Sequence, residues 1–275
     1  MTKGVISTIP FNEYLKDLAI SSSAIKIMHR AGPEVYYKTV VDPAARVTPP
    51  TPAMLLGSLV HCATLEPDEL HNRYQKCGPR NTKAGKDEAL YIESKGLTPI
   101  NFSDWKLMKE MVQSIRSHPI AADYLDNPLG VPEQSFWWDD ELSGLCCKAR
   151  TDLVVGDTII DLKTTVAGGA SPKEFAKTVA NFAYNIQAAH YLRGTEAERF
   201  IFLVVEKVWP YNVGLFELDQ AAIDLGNEQI DAALKLIKEC HEKEEWPGHA
   251  DEISTISLPR WAFYKKECSD VCSVL

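Results

Sequence analysis

The sequence has no apolar run of the roughly 18 residues a membrane-spanning helix needs, so no helix of this chain is expected to cross a bilayer. Its opening, MTKGVISTIPFNEYL, carries one lysine and no long apolar stretch, and does not read as a secretory signal. The seven cysteines are odd in number and scattered, which argues against a disulfide framework and for reduced thiols in a cytosol. There is no excess of positive charge: the formal net charge is −9. That excludes a protein whose whole surface coats nucleic acid and leaves room for a basic groove on an acidic body. No internal repeat is visible, so a solenoid is not expected.

What is present is ordinary globular composition, 45% apolar and 24% charged over 275 residues. A single domain of this length buries roughly three quarters of its unfolded surface and needs no staples. The reading is one domain over 1–275. A helical part covers about 1–130, a sheet core about 131–218, and a helix and tail 219–275.

Capping and turn chemistry divide the chain. ISSSAIKIMHRAG reads as a helix capped by Ser21 or Ser22 and stopped at Gly32-Pro33. Thr51 caps and Pro52 opens a helix, AMLLGSLVHCATL, apolar on nearly every face and therefore buried. Cys77–Ala89 reads as a polar loop, and SDWKLMKEMVQSIRSH as an amphipathic helix opened by Ser103. EQSFWWDDELSGLCCKARTDLVVGDTIIDLKTT reads as three or four strands. A capping box from Ser171 to Glu174 opens the next helix, and NFAYNIQAAHYLRG continues helically. RFIFLVVEKV and NVGLFEL are strands, and a long amphipathic helix follows. Helices flanking a mixed sheet place the chain in the α/β or α+β class.

One stretch stands out chemically. RTDLVVGDTIIDLKTT is β-branched and apolar, yet carries Asp152, Asp161 and Lys163. With Gly156-Asp157 as a two-residue turn, Leu153 faces Ile160 and Asp152 faces Asp161, with Cβ atoms about 4.5–5.5 Å apart. Lys163 then shares the face of Asp161, with Arg150 opposite it, while Leu153, Ile160 and Leu162 form the apolar face. Facing acids repel, and a divalent cation held by both carboxylates removes the repulsion. Oxygen ligands favour Mg²⁺ or Mn²⁺ over zinc. A solvated hairpin face carrying salt bridges fits the same residues, and a single bulge would move Asp152 away.

Asp152 followed by Asp161-Leu162-Lys163 resembles the D…(D/E)-x-K signature of the PD-(D/E)xK nuclease superfamily, although Thr151 stands where the naming proline would be. GSLVH (Gly57–His61) resembles the G-x-x-x-H helix, and QAAHY (Gln187–Tyr191) the Q-x-x-x-Y helix, of the RecB-like branch. Together with ISSSAIKIM, KARTDLV and SPKEFAKTVANFAYNIQAAHYL, these segments resemble the nuclease domain of exonuclease VIII (RecE) and its phage relatives over roughly residues 20 to 210. The implied fold is a restriction-endonuclease-like core, a mixed sheet flanked by helices. The implied activity is Mg²⁺-dependent 5′-to-3′ digestion of linear double-stranded DNA, with Mn²⁺ able to substitute. The 3′ overhangs would serve a RecT-like single-strand annealing protein in phage-type recombination. A tetrameric or trimeric ring in the cytoplasm of a bacterial host is implied as well.

The same resemblance assigns roles. Asp152, Asp161, the Leu162 backbone carbonyl and His61 would be metal ligands, and Lys163 would position the attacking water. Gln187 and Tyr191 would brace the site or touch the DNA backbone, and Glu133 matches an upstream acid. On residue chemistry, His61 also fits a buried histidine bonded to a carbonyl, and Gly57 would let its helix approach closely. Arg80, Lys83, Lys86 and Arg150 are candidates for phosphate contacts, and a solvated loop fits the first three equally.

Two other readings compete. An iron–sulfur nuclease of the CRISPR-associated or AddB-like type would need four cysteines. Cys77, Cys240, Cys268 and Cys272 do not match that spacing, so no cluster is expected. A non-catalytic DNA-binding protein of the same fold would be expected to lose an acid or the lysine, and all are present here.

Overall fold

The computed structural model describes residues 5–7, 9–42, 44, 49–248, 253 and 255–259. Strand β1 (Val5–Ser7), helix α1 (Phe11–Lys16) and strand β2 (Ile20–Ser21) lead into helix α2 (Ser22–Tyr36) and a π-helical turn at Tyr37–Val41. Ser21 caps α2, its Oγ accepting the Ala24 N–H at 3.3 Å. The expected stop at Gly32-Pro33 is a kink instead. Gly32 takes φ 82°, a left-handed conformation open to glycine, and the helix resumes to Tyr36.

Helix α3 (Pro52–Leu65) begins where the sequence predicts, with Thr51 Oγ1 accepting the Met54 N–H at 3.2 Å. After a 3-10 turn (Pro67–Glu69) come α4 (Leu70–Arg73), β3 (Tyr74–Cys77), α5 (Lys83–Ser94), β4 (Thr98–Asn101), α6 (Phe102–Ser117) and α7 (Pro119–Leu125). The loop expected over Cys77–Ala89 is therefore half helix. Thr82 is a cap that composition hid, its Oγ1 accepting the Gly85 N–H at 3.1 Å. Asn101 rather than Ser103 caps α6, accepting the Asp104 N–H at 2.7 Å.

The rest of the chain runs β5 (Gly130–Pro132), β6 (Ser135–Asp139), β7 (Cys146–Arg150), β8 (Leu153–Val155), β9 (Thr158–Thr165), α8 (Pro172–Phe182), α9 (Tyr184–Gly194), β10 (Arg199–Glu206), β11 (Val213–Glu217) and α10 (Gln220–Lys243). Ser171 precedes α8, but its hydroxyl donates to Gly168 O at 2.8 Å, so the expected capping box is not formed. Ala183, at φ 50°, separates α8 from α9.

The strands form two main sheets rather than one. The first has the order β11-β10-β9-β8-β5, with β9 and β10 parallel and the other pairs antiparallel. The second has the order β1-β6-β7-β2, and β3 pairs with β4. β9 and β10 are buried on both faces, which explains their unbroken apolar spelling. Ile159, Phe200, Phe202 and Val204 enter one core with α2, α9 and α10. Ile160, Leu162, Ile201, Leu203 and Val205 enter a second core with α3 and α6. The alternation is the period of two that a pleated strand imposes.

Candidate active site

The β8–β9 hairpin sets the site. Gly156 takes φ 61° at the turn, and the register is Val155 with Thr158, Val154 with Ile159 and Leu153 with Ile160, as the turn dipeptide predicts. β8 has only three residues and β9 eight, so pairing to β8 stops at Ile160 and β9 runs on. Asp152 lies at this notch. Its Oδ2 accepts the Leu162 N–H at 2.7 Å, taking the place a longer β8 backbone would occupy. Arg150 is not opposite Lys163: it belongs to β7 in the other sheet and pairs there with Ser135.

The charged groups reach the notch from different sides. Asp161 shares its face with Ile159 and meets α9, where Gln187 Nε2 donates to Asp161 Oδ1 at 2.7 Å. Lys163, two residues on, brings Nζ to 2.5 Å from Asp161 Oδ2. That oxygen is buried, and the Lys163 ammonium is its partner. His61 comes from α3, which packs on the opposite core, and places Nδ1 3.4 Å from Asp152 Oδ2. Gly57, one turn earlier on α3, is not held by crowding. A Cβ there would meet only Thr164 Oγ1, at 3.8 Å.

Burial and charge push the two acids apart. Asp161 is 2% exposed, and burial, reinforced by the Asp152 charge, holds its carboxyl above the ordinary range against the pull of Lys163. Burial acts the same way on Asp152, but the His61 charge and contact, Lys163 and the Leu162 N–H outweigh it and hold that carboxyl below its usual range. Burial also disfavours the charged forms of His61 and Lys163. The facing acids more than offset it, Asp152 for His61 and Asp161 with Asp152 for Lys163, so both are raised. Two carboxylates driven in opposite directions within one site are the arrangement that divides chemical labour between like groups.

As they stand, no three His, Cys, Asp or Glu side chains among the described residues converge to hold a metal, because each acid is turned to its own cation. The donor chemistry fits a hard divalent ion all the same: two carboxylates, the Leu162 carbonyl and one imidazole. Asp161 Oδ2, which faces Lys163 rather than Gln187, is the oxygen such an ion would compete for.

The remaining candidates separate into two groups. Gln187 touches Asp161 directly. Tyr191 stands behind it: its phenol donates to Arg150 O at 2.9 Å, bracing β7 against α9, and also bonds Gln187. Glu133, at φ 54°, donates its N–H to Asp152 O at 3.0 Å, while its carboxylate pairs with Arg150 Nε at 2.6 Å. Burial, with the Asp152 charge, raises the Glu133 carboxyl. Arg150 also donates to Ile9 O and Ser135 Oγ, so its guanidinium is committed inside the fold rather than offered to phosphate. Arg80 bonds Pro99 O, and Lys83 and Lys86 are exposed on the first turn of α5. A cavity of about 910 Å³, lined by Trp138, Glu141, Leu192 and Arg193 among others, includes none of the predicted residues.

Sequence reasoning missed three groups. Tyr184 lies one turn before Gln187 on α9, and its ring is 5.0 Å from Lys163 Nζ. The i,i+3 spacing was the available signal. Lys26 of α2 approaches the same ring at 5.5 Å, and no sequence pattern marked it. His190 is fully buried with Nε2 3.1 Å from Lys148 O, and burial pulls it down to about 4. Among the described residues Cys62, Cys77, Cys146, Cys147 and Cys240 are free thiols, while Cys268 and Cys272 lie outside them. No helix among the described residues is long and apolar enough to cross a membrane.

A family described as a PDDEXK-like domain of unknown function (DUF3799) matches residues 21–259. The crystal structure of a presumed exonuclease from Eubacterium rectale superposes with a TM-score of 0.64 at 15% identity, over 92% of this chain and 97% of that one, and shows a shared fold. An alkaline exonuclease from Laribacter hongkongensis aligns over 68% of this chain and 91% of its own at 14% identity, with a TM-score of only 0.31. No curated protein sequence matches. The chain belongs to the PDDEXK-like family, and its helix-flanked mixed sheet is the α/β core of that fold.

Proposed function

We propose that this member of the PDDEXK-like family is a divalent-metal-dependent exonuclease that degrades linear double-stranded DNA from 5′ to 3′ and leaves 3′ overhangs. The observation that carries the reading is the notch of β9. There, Asp161 faces Lys163 and Asp152 faces His61, two acid–cation pairs gathered beside one strand. The fold neighbour from Eubacterium rectale, itself a presumed exonuclease, is in keeping with that choice of reaction.

Asp152, Asp161, the Leu162 carbonyl and His61 would hold the ion. A bound Mg²⁺ or Mn²⁺ supplies an activated water and relieves charge on the phosphate. The chain's own groups supply position. Gln187 fixes one oxygen of Asp161 and so aims the other into the notch. The Leu162 N–H does the same for Asp152. Lys163 stands beside Asp161 with an ammonium that can donate to a water or to a phosphate oxygen, orienting attack and offsetting charge in the transition state. His61 must surrender its proton to become a ligand.

A RecT-like annealing protein as partner and a ring-shaped homo-oligomer threaded by the duplex belong to the same proposal. The test is incubation with linear and closed-circular duplex DNA, with and without Mg²⁺. Linear DNA is expected to be degraded to mononucleotides with a surviving 3′-ended strand, and circles to persist. Rate should fall steeply with salt as phosphate contacts release counterions. Nicking of closed circles by homogeneous protein would make the enzyme an endonuclease. No metal-dependent cleavage of either form would overturn the nuclease reading.

A further inference from the structure

We propose that Tyr184 is a positioning residue for Lys163: its ring face is the seat that keeps the ammonium in the notch when the Asp161 oxygen is taken by a cation. The inference rests on the nuclease reading for its consequence and on geometry for its contact.

Lys163 has two partners in the structure. One is Asp161 Oδ2, at 2.5 Å. That is the oxygen a divalent ion would compete for, and a cation bound there repels the ammonium. The other is the Tyr184 ring, with Nζ 5.0 Å from its centroid. The electron-rich ring face attracts a cation and is not a ligand that a hard metal ion would take. Once the carboxylate is occupied, the ring is the contact that remains.

The ring is suited to be a fixed seat. Tyr184 is the first residue of α9, directly after the left-handed Ala183. It stacks on Phe182 at 5.7 Å and 23°, and on Phe202 of β10 at 5.8 Å and 26°. Lys26 Nζ also lies over this ring, at 5.5 Å. Burial, with the Lys163 charge, lowers Lys26 to about 8, which agrees with two ammonium groups crowded around one aromatic. A second cation there opposes any swing of Lys163 along the ring and leaves it turned toward Asp161.

The test is a double-mutant cycle of Tyr184→Met with Lys163→Met, read in two ways on the full chain. The first readout is denaturant unfolding of the metal-free protein. The second is single-turnover cleavage of linear duplex DNA in Mg²⁺. Tyr184→Met keeps apolar volume without a ring face, and Tyr184→Phe keeps the face without the hydroxyl. We expect Tyr184→Met to lower the cleavage rate about five- to thirtyfold with KM unchanged, and Tyr184→Phe to stay within about twofold of wild type. In the Lys163→Met background Tyr184→Met should lower the rate no further, and its effect on the unfolding constant should shrink by about fivefold. Equal effects of Tyr184→Met in both backgrounds would overturn the proposal, as would loss of activity in Tyr184→Phe equal to that in Tyr184→Met. Should Tyr184→Met not fold, Tyr184→Leu replaces it with the same expectations. A wild-type protein without cleavage would sink the nuclease reading alone, and the unfolding cycle would still decide the contact.

Discussion

Two strands of this protein carry a lysine in an apolar spelling, Lys148 of β7 and Lys163 of β9, and their environments differ. Lys148, 5% exposed, donates to Tyr14 O at 2.6 Å and Asp17 O at 2.7 Å, with the Tyr14 ring 4.4 Å from Nζ. Its neighbour Arg150 is likewise tied into the fold, through Nε to Glu133 and through Nη1 to Ile9 O and Ser135 Oγ. These two cations pin the segment Ile9–Asp17 to the second sheet. Around Lys163 charges are crowded instead: burial and the Asp152 charge raise Asp161, and Asp152 draws His61 toward its charged form. A cation held by backbone carbonyls is architecture. A cluster whose two acids are driven in opposite directions is where chemistry is expected.

That contrast can be broken experimentally. The largest expected effect is at Asp161. Asp161→Asn should lower cleavage below detection while Gln187 still finds an oxygen to bond, so circular dichroism should stay unchanged. Residual activity near wild type would remove Asp161 from the site.

Next is the pair of lysines. Lys163→Ala should keep DNA binding, measured in Ca²⁺ by fluorescence anisotropy, and lose about two to four orders of magnitude in rate. Lys148→Met should do the opposite. It strands two carbonyls and destabilises the fold by about 1–3 kcal/mol in urea unfolding, with activity per folded molecule unchanged. Similar profiles for the two variants would erase the distinction.

A smaller effect lies in pH. His61 is held above its ordinary value of 6.5 by Asp152, so its ion pair stabilises the metal-free fold at lower pH and is lost as pH rises through the raised value. Metal binding needs the neutral imidazole, so affinity should move the other way, rising over the same interval with proton release. Parallel trends in metal-free melting and Mn²⁺ affinity would argue against His61 as a ligand. The smallest effect is expected at Gly57. Gly57→Ala should raise stability by about 0.5–1 kcal/mol, because the residue is inside α3 and the added methyl meets only Thr164 at ordinary contact distance. A loss of activity without a loss of stability would mean that substrate, not the sheet, needs the space.

How much of this was legible depended on whether the signal was local. Gly156-Asp157 fixed a two-residue turn, and the register followed from it because pairing across a hairpin is a constant sum. Thr51-Pro52 and Ser21 marked helix starts through their own side chains. The sequence could not tell that β7 and β8, two residues apart, belong to different sheets, so Arg150 was set opposite Lys163. The capping box at Ser171 failed because its hydroxyl found Gly168 O instead. At the site, spacing along one hairpin brought Asp152, Asp161 and Lys163 together, but not with Asp152 paired opposite Asp161, since pairing ends at Leu153 and Ile160 and the Asp152 carboxylate bonds the Leu162 N–H. Gln187 followed from its motif and Tyr184 only from its spacing to Gln187, while Lys26 of α2 had no local signal because it meets the site through tertiary packing. The second face was also hidden: His61 arrives from the other core, so the cluster gathers at a strand edge rather than on one face.

A divalent ion is expected at the acid pair beside Lys163 and not beside Lys148. Mn²⁺ titration followed by electron paramagnetic resonance, in wild type, Asp161→Asn and Lys148→Met, separates the two. Mn²⁺ should bind wild type and Lys148→Met, and binding should be lost in Asp161→Asn. Equal binding by wild type and Asp161→Asn would remove the ion from this cluster.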